Sequence, residues 1–190
     1  MSVAFDHRDP GTAEAEWTAA RLWARAAPLH GPAARLIVLA AHPDDETLGA
    51  GGLIAASAAA GTDVSVIVAT DGEASHPASA GSEDLGVRRR LEVVAALREL
   101  APGARLRFLG LPDGGLREST PALRDALARE LGGLPHGVLL AAPWWGGGHR
   151  GHRVAGGAAG GARRPGGATG IAIIEWRASR RWRSAARACV

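Results

Sequence analysis

A single α/β domain built on a doubly wound, mostly parallel sheet is what this sequence predicts, and two features predict it. Four apolar runs of strand length alternate with segments of helical periodicity. The stretches rich in His, Asp and Gly all follow those runs instead of preceding them. Strict alternation calls for parallel strands, right-handed crossovers and helices on both faces. Ligands in such sheets bind beyond the carboxyl ends of the strands, where these polar stretches fall. At 190 residues, 46% of them hydrophobic, the chain can bury one proper core.

The elements follow in order. Thr12 to Ala27 carries Trp17, Leu22 and Trp23 among Ala, Glu and Arg, which reads as an amphipathic helix leading into the domain. After Gly31-Pro32, the continuous aliphatic run Arg35 to Ala41 is a buried parallel strand. Thr47 to Ala60, small and apolar and closed by Gly61, is a tightly packed helix. Asp63 to Thr70 is the second strand, and Asp71 to Gly86 a loop of Gly, Ser, Asp and Pro. From Val87 to Leu100 the apolar residues Val87, Leu91, Val94 and Leu97 recur at helical spacing on a charged background, which marks a helix. Arg105 to Leu111 is the third strand, Pro121 to Leu131 the next helix, and Gly137 to Ala142 the fourth strand. These elements divide the chain into a helical lead-in, 1–34, a principal domain, 35–152, and a Gly/Ala/Arg-rich segment, 153–190. In that last segment glycines between Val154 and Gly170 weaken any helix by about 1 kcal/mol each, and Ile171 to Trp176 regains a strand-like pattern.

Composition excludes several classes. The only cysteine, Cys189, permits no intramolecular disulfide and fits a reducing cytoplasm. No apolar run reaches the length of a bilayer span, and the first residues lack a signal-peptide core, so a cytoplasmic protein without membrane partners is expected. The net charge of +3 conceals an asymmetry: 18 of 19 acids and 13 arginines precede Gly147, whereas the remainder has 9 arginines and one acid, Glu175. Clustered arginine can neutralise phosphates. Without a pattern of stacking aromatics beyond Trp176 and Trp182, the tail is not read as a nucleic-acid arm. Oligomeric state is left open.

The chemistry concentrates after the first strand, at Ala41-His-Pro-Asp-Asp-Glu46. A dinucleotide fold also carries glycines in this turn, but Gly49-Ala-Gly51-Gly52 lacks the G-x-G-x-x-G spacing and follows three carboxylates where a pyrophosphate would sit. Three acids at a helix N-terminus repel an anion and attract a cation, so no cofactor other than a metal is expected. Catalytic zinc takes three ligands from His, Asp or Glu and keeps a fourth position for water. His42 and Asp45, separated by two residues across a strand-to-helix turn, can reach one ion, which leaves Asp44 beside the open position.

Ala41-His-Pro-Asp-Asp-Glu-Thr-Leu-Gly-Ala-Gly-Gly52 resembles the signature of the LmbE/PIG-L N-acetylglucosaminyl deacetylases. Ala69-Thr-Asp-Gly-Glu73, Arg88-Arg-Arg-Leu-Glu92 and Leu109-Gly-Leu-Pro-Asp-Gly114 are similar to that family in the expected order, and the likeness runs from about Arg35 to His152. The resemblance implies a Rossmann-like fold, one Zn2+ or another divalent metal, and hydrolysis of an N-acetyl group on a small sugar conjugate to acetate and a free amine. Carried over residue by residue, it implies His42 and Asp45 as metal ligands and Asp44 as general base. The family's His-x-x-His element corresponds to His149-Arg-Gly-His152, with His152 the third ligand and His149 stabilising the oxyanion or protonating the amine.

Asp, usual in the family just before the second histidine, is replaced here by Gly151, which removes a carboxylate that would orient a ligating histidine. Arg89, Asp71 and Asp113 are candidate substrate-binding residues at the same rim. For Arg89 the alternative is a solvated helix face with intrahelical ion pairs, and for each Asp-Gly pair ordinary turn chemistry. Trp144 and Trp145 either wall a sugar pocket or pack the loop. His7, His30, His76 and His136 are read as bland. Two further readings remain: a metal- or sugar-binding relative with impaired catalysis, and a polyanion-binding protein acting through its basic tail.

Overall fold

The structure, a computed structural model, describes residues 13–21, 33–75, 82–132, 137–162 and 171–176. Its larger unit, within Pro32–Ala178, contains every strand found among the described residues. Five strands lie in the order β3-β2-β1-β4-β5: β1 Arg35–Ala40, β2 Asp63–Thr70, β3 Arg105–Leu111, β4 Val138–Pro143 and β5 Ile171–Trp176. All neighbours are parallel, with Leu36 opposite Val64 and Leu139, and Val138 opposite Ile171. The expected doubly wound sheet is therefore present, and the strand-like run at 171–176 extends it by one strand.

The aliphatic runs are continuous because both sheet faces are covered. Ile37, Leu39 and Ile67 turn to one face, where Leu123, Leu127, Ala155 and Ala159 pack on them. Leu36, Val38, Val66 and Val68 turn to the other, against Ile54, Val93 and Leu97. The first group of helical residues belongs to α4 (Thr120–Leu131) and α5 (Arg150–Gly161), the second to α2 (Asp45–Ala59) and α3 (Ser82–Leu100).

Three sequence expectations are corrected. Helix α3 begins at Ser82, inside the segment read as loop. Its buried face matches the apolar period only in part: Leu97 is buried, together with Gly86 and Val93, whereas Val87 and Leu91 are 61% and 64% exposed. The first apolar repeat on that helix was a spacing coincidence, because the inward stripe is opened by a glycine that no hydropathy pattern counts. The third correction concerns the glycines after His152, which do not break the chain into coil. Helix α5 runs through them to Gly161. One of its buried glycines is a close-packing device: a Cβ at Gly156 would collide with the Pro143 carbonyl oxygen and stand 2.8 Å from the Trp145 nitrogen.

In the other unit, helix α1 covers Glu14–Ala20 and ends where Arg21 enters the left-handed region at φ 45°. The rest of the expected lead-in helix lies outside the described residues, as do His7, His30, His76, His136, Trp182 and the arginines beyond Arg153. No helix among the described residues is long and apolar enough to cross a membrane.

Candidate metal and catalytic site

The strand order reverses between β1 and β4, and a crevice at such a switch point is where α/β sheets bind ligands. The loop leaving β1 supplies His42, Asp44 and Asp45, and the loop leaving β4 with the start of α5 supplies His149 and His152. Thr70 ties the ends of β1 and β2 together, donating from its amide and its hydroxyl to the Ala41 carbonyl.

The β1 turn is held by its own acids. Asp45 Oδ2 accepts the N–H groups of Ala41 and His42 at 3.1 and 3.0 Å, which points the carboxylate back over the strand end. Glu46, 1% exposed, accepts the Asp44 N–H and the Thr47 hydroxyl. These bonds hold Asp44 at φ 114°, a backbone region costing a non-glycine residue about 1–3 kcal/mol. The Asp44 side chain makes no capping bond and stands half exposed, with Arg89 Nη2 3.4 Å from its Oδ2. Arg89 reaches it across Gly72, at φ 68°, where a Cβ would collide with the guanidinium.

The expected ligand groups converge. Asp45 Oδ1 is 3.0 Å from His152 Nε2, and Asp45 Oδ2 is 3.4 Å from His42 Nδ1. One nitrogen from each of His42, His149 and His152 lies within 4.8 Å of the others. The His149 ring packs edge-on to His42 at 4.7 Å and sits 4.6 Å from His152, with His149 exposed on the solvent side. Asp113, at the end of β3, approaches His42 from behind, its Oδ1 3.4 Å from Nε2. Asp71 is taken up by Arg90 in a bidentate pair at 2.8 and 2.7 Å, and Arg90 in turn covers the Phe108 ring. Trp145 is 60% exposed beside this loop.

Electrostatics separates the two adjacent aspartates. Burial pushes Asp45 upward, but hydrogen bonds from His152 and His42 outweigh it and hold the carboxyl well below the usual range. Asp44 moves the other way: burial and the neighbouring Asp45 raise it, against the opposing pull of Arg89. Burial lowers His42, yet contacts with Asp113 and Asp45 prevail and carry it to about 9. Burial and the nearby His42 and His152 lower His149. Two imidazoles around a carboxylate kept ionised form a donor set suited to a divalent cation of zinc's preferences.

Sequence reasoning missed the contact of Asp113 with His42, because the two are far apart in the chain and an Asp-Gly pair is ordinary turn chemistry. It also missed the role of Gly151. A Cβ there would stand 2.6 Å from His42 Cε1, so the absence of a side chain is what lets the His42 ring lie against the start of α5.

Residues 37–162 match the family model described as PIG-L, GlcNAc-PI de-N-acetylase. Over 143 residues the chain is 37% identical to the 1D-myo-inositol 2-acetamido-2-deoxy-alpha-D-glucopyranoside deacetylase of Mycolicibacterium paratuberculosis, covering 62% of this chain and 47% of that one. It thus spans about half the length of the curated relatives it matches. Among solved structures it is similar to the N,N'-diacetylchitobiose deacetylase of Pyrococcus horikoshii, with a TM-score of 0.58, 25% identity and coverage of 80% of this chain and 58% of that one. A 4-carboxy-2-hydroxymuconate hydratase of Pseudomonas putida is also similar, with a TM-score of 0.54, 25% identity and coverage of 67% and 55%.

Proposed function

Because the chain belongs to the PIG-L family of GlcNAc-PI de-N-acetylases, we propose that it hydrolyses the N-acetyl group of a GlcNAc-containing conjugate to acetate and a free amine. The observation that carries this reading is the divided aspartate pair. Asp45 is ionised and turned into the His42/His152 cluster, while its neighbour Asp44 is raised, uncapped and half exposed beside it. One carboxylate is suited to hold a cation and the other to accept a proton near neutral pH.

His42, Asp45 and His152 would hold the metal. When bound there, a zinc ion supplies Lewis-acid polarisation of the acyl oxygen and of a water. Asp44 accepts the proton of the attacking water, and Arg89, 3.4 Å away, orients its carboxylate and opposes the rise that burial and Asp45 impose on it. His149, neutral in its lowered state, donates an N–H to the developing oxyanion. The proton held by Asp44 is then delivered to the departing nitrogen. Arg89 and Asp113 border the space a sugar would enter. Asp71, tied to Arg90, is assigned to substrate less directly, through the placement of its loop.

The test is acetate release by the purified chain, with metal analysis, on GlcNAc-inositol and N,N'-diacetylchitobiose before and after chelation. Asp44→Asn should keep the metal and lower turnover by about 10²–10⁴-fold. Unchanged turnover in that variant would remove Asp44 as the base. Stoichiometric metal without acetate release on any substrate would favour a metal- or sugar-binding relative. The likeness to a hydratase motivates a second arm, water addition to an unsaturated carboxylate, for which loss of the substrate's ultraviolet absorbance without acetate would decide.

A further inference from the structure

The two ring nitrogens of His42 face two different carboxylates. Nδ1 lies 3.4 Å from Asp45 Oδ2, on the side where Asp45 Oδ1 meets His152. Nε2 lies 3.4 Å from Asp113 Oδ1, which enters from the loop after β3. We propose that Asp113 is a positioning residue for the metal centre: it accepts the Nε2–H of His42 and so fixes the tautomer that presents Nδ1 to the ion. This inference rests on the reading of His42, Asp45 and His152 as a cation site.

A ligating imidazole commonly gives its second N–H to a carboxylate or carbonyl, which sets ring orientation and raises ligand basicity. Asp113 is anchored for that work. The Ala74 N–H donates to its Oδ2 at 3.1 Å and the Gly114 N–H to its Oδ1 at 2.9 Å. Its own N–H donates to Glu73 Oε1 at 2.8 Å. Loop and carboxylate are thereby joined to the segment after β2, and only 12% of the Asp113 side chain is exposed.

The first turn of α5 offers no replacement, since it contains no acidic residue. Nor is there room for one at its inward position with His42 where it stands. A Cβ on Gly151 would lie 2.6 Å from His42 Cε1, 2.7 Å from Nε2 and 3.4 Å from His149 Nδ1. The helix therefore contributes close approach, and the orienting carboxylate comes from another strand. Asp113 is better explained by this duty than by substrate contact alone, because both of its oxygens already accept hydrogen bonds from the protein.

Long-range proton–nitrogen NMR on the zinc-loaded full chain, with labelled histidines, reads which nitrogen of His42 keeps its hydrogen. Ligation through Nδ1 with the hydrogen on Nε2 is expected, and ligation through Nε2 would overturn the proposal. Competition with a chromophoric chelator should show zinc affinity falling about 10–100-fold in Asp113→Ala. Asp113→Asn, which keeps an acceptor oxygen, should recover part of that loss and keeps the test open if the alanine variant does not fold. Wild-type zinc affinity and tautomer in both variants would overturn the assignment. Failure of the underlying site reading looks different: the unmodified chain would bind no stoichiometric zinc, or His42→Ala would bind it as tightly as wild type.

Discussion

The two halves of the site are built by different physics. The turn after β1 is fixed by polar bonds: Asp45 and Glu46 between them accept three backbone N–H groups and a hydroxyl, and hold Asp44 in a strained conformation. The start of α5 has no side-chain cap, and its hydrogen bonds from Arg153 to the Gly147 and Gly148 carbonyls are exposed. It is seated instead by shape, through Gly151 against His42 and Gly156 against the backbone of Pro143 and Trp145. A polar turn carries its instructions in its own residues. A helix seated by missing side chains carries them in what it approaches.

That contrast can be broken or sharpened by measurement, and the largest expected effect is on the polar half. His42 is raised from 6.5 to about 9, so its stabilising contribution is complete below pH 6.5 and is lost as pH rises through about 9. For the metal-free protein this amounts to on the order of 3 kcal/mol, read from melting temperatures across that window. Asp45, held low, contributes in the opposite sense, and its share is lost only in acid. A flat profile from pH 6 to 10 would mean that the carboxylate contacts of His42 do not stabilise the fold.

Next in size is the shape half. Gly156→Ala places a methyl against backbone on two sides and should cost about 1–3 kcal/mol, by the same amount at every pH in that window. A loss that tracked the His42 titration would show that the halves are coupled and would erase the distinction. The smallest effect is expected from Glu46→Gln, which preserves the volume and one acceptor while weakening the bond to Asp44 N–H or Thr47. Denaturant unfolding should register about 1 kcal/mol, with metal affinity little changed.

Legibility in the sequence follows the same division. His42, Asp44 and Asp45 are found from local spacing, because a strand end followed by His-Pro-Asp-Asp-Glu confines its own chemistry to one turn. Their convergence with His149 and His152 follows from topology, since alternation puts every such loop at one edge. Asp113 was legible as a rim residue but not as a partner of His42, for the pairing depends on how far the β3 loop folds over a neighbouring strand. For Asp71, nothing local announces that Arg90 grips it with two hydrogen bonds. On α3, Val87 and Leu91 had the period of a core face without its position, because rotation of the helix is set by the sheet beneath it.

The sequence by itself determined the parallel sheet and the polar turn, since both arise from interactions among residues close in the chain: aliphatic runs that must be buried on both faces, and acids that cap their own backbone. Only the tertiary structure decided which glycines matter and which carboxylate serves His42. Gly156 is indistinguishable in the sequence from Gly157, whose Cβ would meet nothing within 4 Å. A glycine has no side chain with which to signal, so its meaning resides entirely in the atoms brought against it.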